Sequence, residues 1–105
     1  MARAGYRSEH WLDANGRPAG GSTFGNGFAI SWQNGPLGRG NDRRKPNGAF
    51  VEDVIAAVKD RIEFYQRGEF ACDENEAAIR HLESALEELE SRTRARRGVE
   101  GTHKV

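Results

Sequence analysis

Four arginines crowd the last part of this chain, Arg92, Arg94, Arg96 and Arg97, within the run RTRARRGVEGTH. A guanidinium is planar, always charged, and offers paired N–H donors that match two oxygens of a phosphate. The segment that follows, Gly98-Val99-Glu100-Gly101-Thr102, is bounded by glycines, which let backbone approach a ligand closely, and Thr102 adds a hydroxyl. The plain alternative is that these arginines only offset a helix dipole and form a solvated face. The glycine-bounded segment favours an anion site. Two further residues suit such a site. Tyr65 offers an aromatic platform for a base, and Asn75 an amide for a ribose or a base edge. Each has a structural alternative, since Tyr65 closes an apolar stripe and Asn75 follows a helix start.

No catalytic constellation accompanies these residues. The sequence lacks a GxxxxGK[ST] phosphate loop, a GxGxxG between strand and helix, and an HExxH pair. His81 has no identifiable nucleophile beside it and reads as a surface or packing residue. Cys72 stands near a helix start, where a thiol can be activated, but reads better as a small residue packing a loop. It is the only cysteine, so no disulfide forms within the chain, and His10, His81 and His103 lie too far apart to suggest zinc. The expectation is a binding protein without cofactor or metal, and not an enzyme.

Charge narrows the ligand. Residues 1–48 carry seven basic and three acidic side chains, residues 49–91 four and twelve, and residues 92–105 five and one, for a net charge of zero. An acidic middle repels a long duplex, which needs a broad basic face, whereas compact basic clusters can each neutralise a small anion. No long nucleic acid is expected as partner. No apolar run approaches the roughly 18 residues of a membrane span, and MARAGYRSEHW does not resemble a signal peptide, so no membrane is expected and the cytoplasm is the expected compartment. Mean hydropathy is −0.80 and only 36% of residues are hydrophobic, a thin supply for a self-contained core. Oligomerisation is the remedy that remains.

The elements that must position these residues follow from the patterning. Residues 1–22, with Asn15-Gly16 and Gly20-Gly21 as turn or linker signals, read as a flexible extension that docks at most through Trp11. Residues 23–105 read as a single domain. Phe28, Ile30 and Trp32 alternate with Ala29, Ser31 and Gln33, which predicts strand over about 23–35, with Asn34-Gly35 as its hairpin turn and a second turn around Gly25-Asn26-Gly27. A basic glycine-rich loop, 36–48, follows. Val51, Val54, Ile55, Val58, Ile62 and Tyr65 recur at helical spacing and predict a helix over about 49–67, begun at Asn47 or Gly48, with Arg67 in its last turn and Gly68 as terminator. Asp73 with Glu76 has capping-box spacing and opens a second helix over about 74–97, striped by Ala78, Ile79, Leu82, Ala85, Leu86 and Leu89 and stopped by Gly98. Residues 98–105 form the proposed ligand loop. The short connection makes the two helices antiparallel. The class is α+β: a small N-terminal antiparallel sheet and a long antiparallel two-helix hairpin.

Several strings resemble a known family. QNGP at Gln33–Pro36, PNGAFVEDVI entering the first helix, FYQRGEFACDENEAAIRHLESALEELESRT across the hairpin, and ARRGVEGTH at its end resemble the phage anti-Thoeris/anti-CBASS hairpin-domain family. The strand and the QNGP turn make the likeness closer to the anti-Thoeris branch. The resemblance implies a small sheet packed on two long antiparallel helices, a homodimer, and in some members a hexamer built as a trimer of dimers. It implies a sponge that sequesters cyclic ADP-ribose isomers without degrading them, blocking a Thoeris-type effector in the infected bacterial host. In some members a separate pocket holds cyclic di- or trinucleotides. Carried over by motif, Tyr65 is the adenine platform, Asn75 the polar clamp and Arg92 the phosphate contact. Arg96, Arg97, Gly98, Val99, Glu100, Gly101, Thr102, Phe28 and Asn34 complete the candidate ligand set. Tyr65 stands where the family more often has phenylalanine, and the insertion GRGNDRRK has no counterpart in it. The rival from another class is an oligomeric helical adaptor that binds protein or nucleic acid through the basic loop Arg43-Arg44-Lys45. Because Tyr65 and Asn75 lie a helix length from the arginines, the site is expected to be shared between subunits.

Overall fold

The computed structural model describes residues 5–38 and 40–100, with backbone alone for 97–100. The described chain forms two compact units, one ending at Phe50 and one beginning at Val51. The class is α+β: three antiparallel strands followed by two helices.

The first unit is a meander, β1 (Tyr6–Leu12), β2 (Pro18–Gly25) and β3 (Phe28–Trp32), in the order β1-β2-β3. This corrects the reading of residues 1–22 as a flexible extension. Tyr6 pairs with Gly25 and His10 with Gly21, and Asn15-Gly16 is the turn of a true hairpin. The Asp13 carboxylate ties that turn, accepting the N–H groups of Asn15 at 2.8 Å and Arg17 at 3.0 Å. The Arg17 and Asn15 backbone bonds hold its carboxyl below the ordinary range. The segment looked unstructured because every residue of β1 is exposed. Main-chain ladder bonds and hydroxyl contacts carry it, and neither leaves an apolar signature. On one face Ser8 Oγ and Thr23 Oγ1 lie 2.9 Å apart, and Trp32 Nε1 donates to Thr23 Oγ1 at 2.8 Å. Gly21, taken for a linker residue, is required by strand approach. Its φ is +147°, and a Cβ there would strike the Glu9 carbonyl oxygen.

A second correction concerns the turns. Asn26-Gly27 joins β2 to β3, while Asn34-Gly35 is a bend that no strand follows. From that bend the chain runs through a 3₁₀ turn, Gly40–Asp42, and returns beside β3. Ala49 bridges Trp32 in parallel, accepting from Gln33 N at 2.9 Å and donating to Ser31 O at 2.7 Å. Two amides close the base of the loop. Asn47 Oδ1 accepts the Asn34 N–H at 2.7 Å, and Gln33 Oε1 accepts the Asn47 N–H at 2.9 Å. Asn47 therefore clamps the loop instead of starting a helix. Leu37 and Phe50 are the buried apolar residues of this unit.

The second unit is a helical hairpin, α1 (Val51–Gln66) and α2 (Asp73–Glu100). Its register is antiparallel, since Lys59 meets Glu83 near mid-helix while Glu52, at the start of α1, meets Arg92 late in α2. Three local expectations change. α1 ends through tight bonds from Arg67 N to Phe64 O and from Gly68 N to Tyr65 O, without positive φ at Gly68, and Arg67 lies beyond the helix. The N-cap of α2 is Cys72, not Asp73. Its carbonyl accepts from Glu76 N, and its Sγ accepts the Asn75 N–H at 3.4 Å. Cys72 is exposed, so it caps instead of packing the loop. Finally, Gly98 does not stop α2, which continues to Glu100. A glycine inside a helix costs roughly 1 kcal/mol, too little to end one of this length.

Ile79 is the buried apolar side chain of the hairpin, while Val51 and Val58 stay 46% and 47% exposed. Among the described residues no helix is long and apolar enough to cross a membrane.

Gly21→Ala is expected to destabilise the protein by more than about 1 kcal/mol, because the added Cβ meets both backbone and a disallowed φ. A circular-dichroism melt checks it; an unchanged midpoint would show that β1 does not depend on that close approach.

Candidate functional site

The hairpin's closed end gathers aromatic rings around one guanidinium. Arg61, one turn before the end of α1, places its Cζ 5.0 Å over the Phe64 ring and 5.1 Å over the Tyr65 ring. Its Nε donates to the Tyr65 hydroxyl at 3.2 Å. The two rings sit 5.9 Å apart, tilted by 56°. Helical i,i+3 and i,i+4 spacing brings these three together, and cation–π attraction at such exposure is worth about 0.5–1 kcal/mol. Tyr65 is thus a held ring with 37% of its surface open, and Phe70 in the connection is 70% open. Between them lies an open hollow of about 280 Å³ lined by Phe64, Tyr65, Arg67, Gly68, Glu69 and Phe70. Its apolar walls, with Arg67 and Glu69 of opposite charge at the rim, suit a flat aromatic ring.

Asn75 sits in the first turn of α2, half-buried. Its Nδ2 donates to the Phe70 carbonyl at 3.1 Å, while its backbone N–H is taken by Cys72 Sγ. The side-chain amide therefore braces the connection, and its oxygen is the part left to face a ligand. The connection is held from the other side as well, by the Cys72 N–H donating to Gln66 Oε1 at 2.9 Å.

The cationic end lies elsewhere on the same unit. Arg92 is 17 residues beyond Asn75 on one continuous helix, about 25 Å along its axis. Arg96 follows one turn later on the same face, and both are half-buried. Arg92 Nη2 lies 3.5 Å from Glu52 Oε2. Arg94 points to the other side and pairs with Glu90 at 4.0 Å. Beside it runs a larger open groove of about 740 Å³ whose walls include Glu87, Glu88 and Glu90. Three carboxylates make that groove a poor home for phosphate, so its size carries no weight here.

The hairpin thus places Tyr65 and Asn75 at its closed end, where Asn75 does not line the hollow beside Tyr65, and sets Arg92 and Arg96 on one face farther along α2, without joining the two pairs. Phe28, exposed at the start of β3, and Asn34, whose N–H and carbonyl are both bonded by Asn47, belong to the first unit. Arg97, Gly98, Val99 and Glu100 fall on the last turn of α2, where backbone alone is described, so a loop beginning at residue 98 is corrected to helix through Glu100. Gly101 and Thr102 lie outside the described residues. Two residues escaped sequence reasoning. Arg61 was signalled only by its i,i+4 spacing to Tyr65, and Glu52 only by its place near the start of the first helix.

Comparison with known proteins bears on this geometry. The family described as Acb2/Tad1, hairpin domain, matches residues 26–94. Thoeris anti-defense 1 of Bacillus phage SBSphiJ7 is 45% identical over 76 residues, covering 70% of this chain and 51% of that protein. The chain thus spans about half the length of the curated relative it matches.

Asn75→Ala is expected to loosen the hairpin connection by about 1 kcal/mol, the net worth of one hydrogen bond, and to speed amide exchange around residues 68–75. Exchange unchanged there would mean the Phe70 carbonyl does not depend on Asn75.

Proposed function

This chain belongs to the Acb2/Tad1 hairpin-domain family, and from that membership we propose that it is a phage immune-evasion protein acting in the bacterial host by sequestering a cyclic nucleotide signal. The ligand class is a glycocyclic ADP-ribose isomer, with cyclic di- or trinucleotides as a further class, and the ligand is held without being degraded. Binding would keep a Thoeris-type effector from being switched on. The observation that carries the reading is the division of labour along the hairpin. A held aromatic ring and an amide stand at one end, and two half-buried arginines on one face stand near the other. These are the groups that a base, a ribose and a pyrophosphate require.

The separation of about 25 Å along α2 exceeds the reach of one such ligand, so the site takes its two halves from different subunits. A homodimer is the simplest arrangement that supplies them, and a hexamer repeats it. The exposed Val51 and Val58, with Ile79 the one buried apolar side chain among the described residues of the hairpin, support that assembly, because a monomer of this kind leaves its helical seam in water.

Sequestration makes a direct forecast. Protein incubated with a glycocyclic ADP-ribose isomer and then heat-denatured is expected to return the ligand intact in an amount matching the sites. Recovery of a hydrolysed product would make it an enzyme instead, and no retention at all would remove this ligand class. At the site itself, Arg92→Ala is expected to weaken binding by about 1–3 kcal/mol, the scale of a hydrogen bond to a charged group. Calorimetric titration checks it, with unchanged affinity removing Arg92 from the phosphate position.

A further inference from the structure

The Glu52 carboxylate has no part in the site as described, and its setting is unusual. It lies in the first turn of α1, where the helix dipole favours an anion, yet only 10% of its side chain meets solvent. Neither carboxylate oxygen has a hydrogen-bond partner among the described residues. A dipole is compensated equally well by a solvated glutamate, so it does not explain why this one is turned out of water. Burying a carboxylate without hydrogen bonds is costly unless a charge stands against it. The charge that does so is Arg92, with Nη2 at 3.5 Å from Oε2. That is longer than the roughly 2.7–2.9 Å of a tight charge-assisted bond. The contact orients the guanidinium by charge, from one nitrogen to one oxygen, and does not match it edge to edge as a bidentate pair would.

From this geometry we propose that Glu52 is a positioning residue of the anion site. It holds the Arg92 guanidinium from the inner side, and the 37% of that side chain that meets solvent faces the ligand's phosphate. The inference rests on the reading of Arg92 as a phosphate contact. A second consequence of the same charge supports it. Arg92 and Arg96 stand one turn apart on the same helix face, and like charges at that spacing repel. A buried carboxylate against the first of them offsets part of that repulsion. Glu52 is thus a fixed counter-charge on the inner side of Arg92, and the ligand's phosphate meets the outer side of the same guanidinium.

The test is a double-mutant cycle in the full chain, with a glycocyclic ADP-ribose isomer as the probe, using Glu52→Gln, Arg92→Ala and the two combined. Glu52→Gln keeps the shape and adds one unit of net positive charge, so simple attraction would tighten binding. A positioning role makes it bind about five-fold or more weakly, and adds nothing further once Arg92 is alanine. Glu52→Asp, which keeps the charge, is expected to recover part of the loss. Equal or tighter binding by Glu52→Gln would make Glu52 a mere competitor of the phosphate and overturn the inference. So would an equal loss in the Arg92→Ala background, which would mark a general effect on the fold. If Arg92→Ala itself leaves affinity unchanged, the anion-site reading fails first. If Arg92→Ala weakens binding and Glu52→Gln does not, the positioning role alone fails. A ligand-free measurement stands beside these. The Arg92 side-chain Nε–H resonance is expected to be narrow in the wild type and to broaden in Glu52→Gln, and no change in it would also overturn the proposal.

Discussion

The register of α1 against α2 is the constraint on which the rest of this protein depends, and charges rather than apolar packing mark it. Lys59 lies 3.0 Å from Glu63 on its own helix and 3.8 Å from Glu83 on the other. The Glu63 hydrogen bond, more than Glu83, lifts its pKa above the ordinary lysine value. Exposed ion pairs add little to stability. What they supply is discrimination in one direction, since a one-turn slide that sets Lys59 against Ile79 and Glu52 against Glu88 loses both pairs, while the opposite slide re-forms them with Glu87 and Arg96. With Ile79 as the hairpin's buried apolar side chain, packing alone would specify that register poorly. The alignment of Arg92 with the start of α1, and of Tyr65 with Asn75 at the closed end, follows from it.

The same shortage of core shapes the first unit. Its strands are joined by ladder bonds, a hydroxyl contact from Ser8 to Thr23, the indole N–H of Trp32 and the paired amides of Gln33 and Asn47. Each is directional and modest, near 1 kcal/mol net, and together they define a fold without requiring many buried side chains. Such an economy leaves apolar surface at Phe24, Phe28 and Trp11. A small domain built this way depends on geometry at a few positions, as at Gly21, where β1 and β2 approach too closely for any side chain.

What was legible in the sequence divides along physical lines. The two helices were legible because Val54, Ile55 and Ile62, and Ile79, Leu82 and Leu86, repeat at a period that only a helix explains. β3 was legible from the alternation of Phe28, Ile30 and Trp32. β1 was not, because its side chains are all exposed and its reason for being a strand lies in a partner that periodicity cannot name. The turns were misassigned for a related reason. Asn34-Gly35 and Asn26-Gly27 carry the same positive-φ signal, and only pairing decides which one closes a hairpin. Residue types nominated Tyr65, Asn75 and Arg92 as candidates, but nothing in a linear pattern tells that Glu52 faces Arg92 forty positions later.

That last pairing bears on how an anion site can exist in a chain of zero net charge. An arginine cluster left alone attracts any polyanion, long or short, and its strength falls steeply with salt. Here Glu87, Glu88 and Glu90 line a groove beside Arg94, on the other side of α2 from Arg92, while Glu52 stands against Arg92 itself. Those carboxylates add repulsion against an extended polyanion laid around α2, whereas under the proposed function a compact anion has only the face of Arg92 and Arg96 to meet. The inner acid fixes where the remaining positive charge points. Under the proposed function, preference for a small anion follows from how the negative charges are placed around the arginines, and a chain of zero net charge needs no large positive field to obtain it.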